Sequence, residues 1–257
     1  MQIEIIMSLK VVSTIFAISI IYFTIIFSSS ASLYLDSNFL FFVEAQQPFT
    51  ISDHEFHAYL EQMIGHLDAS ILNVQNNNSV LAVAHALHPI EEIVDVINSR
   101  LIQTNETLTK EFSSKLNKYV QTVRSDNLNK IVIEKRELEK LLSNALEQSI
   151  SLEKRTNRDH ILNVTADLIT IASEEYAESM SQRKIINLLE YQDGQQFFKR
   201  AINLLDKSQA YLSENDNKNY LTRIDDMKKG LDSKIDPSEI DMNVKDMLCE
   251  IKKGFYC

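Results

Sequence analysis

Tryptophan is absent from this sequence, and the helix breakers are scarce: four glycines and three prolines in 257 residues, with neither between Pro89 and Gly194. A chain so poor in breakers and rich in Leu, Ile, Ser, Asn, Glu and Lys is expected to be all-α. Its length suits one elongated domain or two small ones. Positive charge is also limited, 26 Lys and Arg against 36 Asp and Glu, a net charge of −10. An acidic body repels phosphate backbones, which argues against nucleic acid as a partner, and attracts cations. Several signatures are missing as well. There is no Cys-x-x-Cys-His for covalent haem, no Glu-x-x-His pair for a ferritin-like di-iron site, no Gly-rich phosphate loop and no Ser/His/Asp order. No enzyme is expected.

Long uncharged runs are confined to the N-terminus. Residues 1–31 read as a signal peptide or membrane anchor, with Lys10 ahead of "VVSTIFAISIIYFTIIF" (Val11 to Phe27) and small residues suited to cleavage near Ala31. The 17-residue run is at the lower limit for a bilayer span, so cleavage and retention both stay open. Residues 32–51 read as a tether. The protein is therefore expected outside the cytoplasm, secreted or held at the membrane by its N-terminal helix. The two cysteines, Cys249 and Cys257, flank "EIKKGFY", where Gly254 can turn the chain back, and a terminal disulfide is expected in an oxidising compartment. Sequons at Asn77, Asn105 and Asn163 fit an exported protein.

Apolar residues then recur at three- and four-residue steps. Ser52 and Glu55 form a capping box ahead of a first helix to Val74; an Asn-rich turn leads to a second, Ser79 to Leu101; a third spans Glu106 to Arg124. The segments 127–154 and 157–180 read as two helices, restarted by Thr156 or Asn157. A sixth runs from Leu189 to Leu212, a seventh follows "SENDNKN", and "DPSE" at 236–239 starts the last. The expected architecture is two antiparallel up-down bundles of about eight helices sharing long central helices, divided at 52–154 and 155–257.

The chemistry concentrates in "LAVAHALHPIEEI" (Leu81 to Ile93). In a hairpin centred on Asn77, His66 and His88 fall at the same height, with His85 one turn away. On the second helix His85, His88 and Glu92 share an arc of about 60°, so nitrogen and oxygen donors can approach one cation. That arc lies opposite the stripe Val83, Leu87, Ile90, Val94, which would turn the histidines to water. Against this, His85 is the only polar side chain from Val80 to Leu87, and a segment apolar all round is usually covered all round. Pro89 cannot donate to the His85 carbonyl and is expected to kink the helix. "HEFH" at 54–57 is one residue short of the zinc-protease pattern and reads as a solvated pair, as does the acidic face of Glu174, Glu175 and Glu178.

The stretch "ASEEYAESMSQRKIINLLEYQDGQQFFKRA" (Ala172 to Ala201) resembles the helical extracytoplasmic domain of oxidase-coupled iron permeases, in which such a segment joins two helices. Glu175, Tyr176, Ile185, Asn187, Glu190, Tyr191, Gln192, Asp193, Phe197 and Ala201 match it, whereas Arg183 stands where a glycine is expected. "AHALHP" (84–89) is similar to exported helical proteins of ammonia-oxidising archaea. The likeness is clearest over 52–101 and 165–213. The permease's multi-span portion with its Arg-Glu-rich motifs is missing, so the resemblance implies a free-standing or tethered module rather than a transporter. It adds Glu190 and Asp193, one helical turn apart, as candidate donors, although acids also suit a helix start. Two readings follow. One is a non-catalytic accessory module binding a transition metal, iron or copper, beside a membrane transporter or another exported protein. The other is a structural or sensory module that binds a protein and no metal.

Overall fold

A computed structural model describes residues 51–252. The leader, the tether up to residue 50 and Cys257 lie outside the described residues, and with them the signal or anchor reading and the Cys249–Cys257 pairing. Helix α1 (Asp53–Gln75) starts on the capping box: the Ser52 hydroxyl accepts from the Glu55 amide at 3.3 Å, and the Glu55 carboxylate accepts from the Ser52 amide at 2.8 Å. The turn after it contains Asn77, whose φ of 56° is a left-handed conformation that Asn tolerates. Helix α2 (Ser79–His88) follows and gives way at Pro89 to a π-helical turn, Pro89–Ile93, before α3 (Val94–Thr104) resumes. The expected kink is thus a wider turn, the adjustment a chain makes when a proline removes a donor from the α ladder.

Helices α4 (Glu106–Arg124) and α5 (Leu128–Ser149) complete a first core around Phe56, Met63, Leu67, Ile97, Phe112 and Tyr119. After the short α6 (Leu152–Arg155), Asn157 caps α7 (Arg158–Ser179) by accepting from the amides of Asp159 and His160. A two-stranded turn joins α7 to α8 (Leu188–Lys207), pairing Met180 with Ile185 and Ser181 with Lys184. Its central residues, Gln182 and Arg183, have φ of 50° and 59°. Residue 183 occupies a conformation that glycine takes without strain, which is why a glycine is expected there. Helices α9 (Glu214–Asp232) and α10 (Pro237–Ile251) close a second core around Leu168, Tyr176, Phe197, Phe198 and Ile224. Helix α8 ends at Lys207, earlier than its apolar period suggests, and Tyr211 is exposed.

The architecture is all-α, with α1 as the shared helix. It packs on α2 and α5 on one side and on α7 and α8 on the other. Phe56, Leu60, Met63 and Leu67 join the first core, while Ala58 joins the second. Charged pairs tie it in both directions: Asp68 to Lys135 of α5 at 2.9 Å and Glu61 to Arg200 of α8. Among the described residues no helix is long and apolar enough to cross a membrane.

Candidate metal centre

Where α1, α2 and α8 meet, four buried donors converge. His66 comes from α1, His85 and His88 from α2, and Asp193 from the second turn of α8; all four are less than one-tenth exposed. One ligand atom from each lies within 4.8 Å of every other. Asp193 is the hub: Oδ1 is 2.8 Å from His66 Nδ1, and Oδ2 is 3.1 Å from His88 Nδ1. His85 Nδ1 is 3.1 Å from Oδ1, yet it has no hydrogen-bond partner of acceptable geometry and is fully buried. An orphaned buried nitrogen beside a carboxylate and two further imidazoles is the feature expected where a cation belongs. Tetrahedral donors about 2.1 Å from an ion stand about 3.4 Å apart. The set, within 4.8 Å, therefore needs to close by up to about 1.4 Å at its widest.

Two of the four glycines adjoin these residues in sequence and make the convergence possible. A Cβ on Gly65, next to His66, would lie 2.9 Å from the Phe197 ring. One on Gly194, next to Asp193, would lie 3.0 Å from the Ala172 carbonyl oxygen. Helix α8 thus approaches α1 and α7 more closely than side chains would allow. Phe197 then packs edge-on against the His66 ring, centroids 5.0 Å apart.

The electrostatics favour a cation. Burial opposes ionisation of Asp193, but the neighbouring imidazoles, His66 foremost, hold its carboxyl well below the ordinary value. Burial lowers His88, and its hydrogen bond and charge interaction with Asp193 more than offset this, so the net shift is upward. A second tier of carboxyls stands outside. Glu92, half-exposed, is 3.8 Å from His66 Nε2 and 3.7 Å from His88 Nδ1, near but beyond ligand distance, and burial raises its pKa. Glu175 is pushed up to about 9 by burial and by its hydrogen-bonded neighbour Glu190. Among the described residues no lysine or arginine forms an ion pair with Glu92, Glu175, Glu190 or Asp193.

Residues 151–256 match the family model of the iron permease-associated 4-helix bundle domain. No curated protein and no solved structure matches the chain. The match includes Ala172 to Ala201, so the resemblance read there holds, whereas residues 52–101 precede it. The centre is consequently composite: Asp193 lies in the segment that matches this family model and the three histidines lie on the helices before it.

The structure brings His66, His85, His88 and Asp193 together, sets Glu92 beside them and places Glu190 against Glu175 instead. The arc bearing His85 and His88 is the buried face of α2, because α8 covers it, while Val83 and Leu87 are only partly buried. Glu175 is not part of a solvated face; it is partly buried against Glu190, whereas Glu174 and Glu178 are exposed. Sequence reading also missed Gln192, whose side-chain oxygen is 2.8 Å from His85 Nε2. The two glycines flanking His66 and Asp193 were the available signal.

The "HEFH" histidines are not a solvated pair either. His57 Nδ1 is 3.1 Å from His160 Nε2, with rings stacked at 5.3 Å, and His54 pairs with Asp167 at 2.7 Å. Burial, with Arg155 and Arg200 nearby, lowers His57 to about 4; burial and His57 lower His160 to about 4. A group with a depressed folded pKa contributes stability that is present above the unfolded value, near 6.5, and lost as pH falls toward the folded one. Stability from this pair is therefore lost between about pH 6.5 and 4, at about 1.4 kcal/mol per pH unit for each histidine. His54 is shifted upward by its hydrogen bond to Asp167 and opposes this trend, so the comparison is with a variant. His160→Gln is expected to flatten the urea-melt stability profile across that window by one proton. An unchanged slope would exclude the buried neutral pair.

Proposed function

We propose that this protein is an extracytoplasmic helical module, secreted or held at the membrane by its N-terminal segment, that binds a transition-metal ion without catalytic activity of its own. His66, His85, His88 and Asp193 are the donors, and iron or copper is the ion, in an accessory role to metal uptake or handling. The observation that carries this reading is the buried convergence of these four donors, in which His85 Nδ1 stands 3.1 Å from the Asp193 carboxylate without the geometry of a hydrogen bond. Three imidazoles and a carboxylate suit several transition ions. Iron is favoured by the description of the matched bundle, which also makes a membrane transporter the partner to seek.

The test is a titration of the purified protein with Fe(II), Cu(II) and Zn(II), beside a His85→Ala, His88→Ala double variant, read by calorimetry and metal analysis. One equivalent bound by the wild type and lost in the variant is expected. Equal weak uptake by both would overturn the metal reading in favour of a module that binds another protein.

A further inference from the structure

We propose that Gln192, oriented by Asn73, locks His85 in the tautomer with its proton on Nε2 and so reserves Nδ1 for the cation. The metal part of this inference rests on the function proposed above; the tautomer part does not. The argument is an accounting of donors. Asn73 Nδ2 donates to the Ala69 carbonyl at 2.9 Å, and a carbonyl only accepts, so the amide group of Asn73 cannot be turned the other way. The second hydrogen of that nitrogen goes to Gln192 Oε1 at 2.7 Å, while Gln192 Nε2 returns a longer bond to Asn73 Oδ1 at 3.4 Å. The atom of Gln192 facing His85 Nε2 at 2.8 Å is therefore an oxygen, and His85 Nε2 must be the donor.

A neutral imidazole carries one N–H. With it on Nε2, His85 Nδ1 keeps its lone pair, and its neighbour 3.1 Å away, Asp193 Oδ1, is also an acceptor. That contact is unfavourable between two acceptors and becomes favourable when a cation lies between them. His66 and His88 differ: each uses Nδ1 toward Asp193, and His66 has Glu92 3.8 Å from its other nitrogen, so His66 can pass its proton outward when an ion arrives, whereas Glu92 approaches His88 at the same Nδ1, 3.7 Å away. His85 needs no such rearrangement. Gln192 is thus a positioning residue that presets one donor of the site.

The experiment is nitrogen-15 NMR of the full-length, histidine-labelled protein without metal, followed by Zn(II) titration of the wild type, Gln192→Leu and Gln192→Glu. In the wild type His85 is expected to carry its proton on Nε2. Gln192→Leu removes the acceptor, so the proton should move to Nδ1, on the side of the Asp193 carboxylate, with Zn(II) affinity falling about 10–100-fold, the usual cost of losing an outer-sphere partner. Gln192→Glu keeps an acceptor and should keep the wild-type tautomer. A wild-type His85 protonated on Nδ1, which needs no variant to observe, would overturn the proposal; so would a Gln192→Leu protein of unchanged helicity with unaltered tautomer. If the wild type binds no ion, the function proposed above fails, while the tautomer measurement still decides the lock.

Discussion

Replacing Asp193 with asparagine is expected to abolish stoichiometric metal uptake and to lower the stability of the metal-free protein by about 2–4 kcal/mol at neutral pH. The carboxylate is fully buried and accepts from His66 and His88 on separate oxygens. Asparagine keeps the shape but has one acceptor oxygen, so its NH2 group must confront one imidazole N–H. The loss combines an unsatisfied buried donor with a weakened charge-assisted bond. The sign with pH follows from the depressed carboxyl. Its contribution is present above the ordinary carboxylate value and is lost as pH falls through the folded value. The gap between wild type and Asp193→Asn in urea melts should therefore persist through the neutral range and narrow only in strong acid. For metal, removing the sole anionic donor of the set should cost more than the roughly 10–100-fold attached to an outer partner. A variant that melts with the wild type and binds one equivalent would refute the role given to Asp193.

What could be read without coordinates was local. The Ser52–Glu55 capping box, the Asn157 restart and Pro237 at a helix start are codes written within a few residues, and each stands where expected. His66 and His88 meet because a hairpin's symmetry about its turn is a local property too. The rest depends on which helix lies over which. His57 and His160 are 103 residues apart, and Gln192 reaches Asn73 across 119; no periodicity within a helix encodes such pairs. Asp193 reached the candidate donors only through the family resemblance, since an acid near a helix start has an ordinary explanation in the helix dipole. Its burial against three imidazoles is what the dipole does not explain. Pro89 announced an irregularity, but that it would be a π turn directly after His88 depended on the packing of α2.

Phe197→Ala should separate the stability of the second core from the geometry of the centre. Phe197 is 1% exposed, and truncating such a ring costs about 3–5 kcal/mol, a large part of the 5–15 kcal/mol typical of a whole domain. Phe198, fully buried in the same core, should cost a similar amount when truncated. Of the two phenylalanines, Phe197 is the one that stands against the His66 ring, so Phe197→Ala should also weaken metal binding where Phe198→Ala does not. Gly65 supplies the control for the cavity. In the wild type its added methyl would meet the Phe197 ring at 2.9 Å and force it to shift, so Gly65→Ala alone is expected to destabilise. In the Phe197→Ala background the same methyl enters vacated space, and the helix preference for Ala over Gly, about 1 kcal/mol, acts unopposed. The two substitutions should therefore couple favourably by at least about 1 kcal/mol in a double-mutant cycle. Strict additivity in denaturant melts would mean that α1 and α8 do not approach as closely as Gly65 permits, and that His66 and Asp193 are brought together by some other contact.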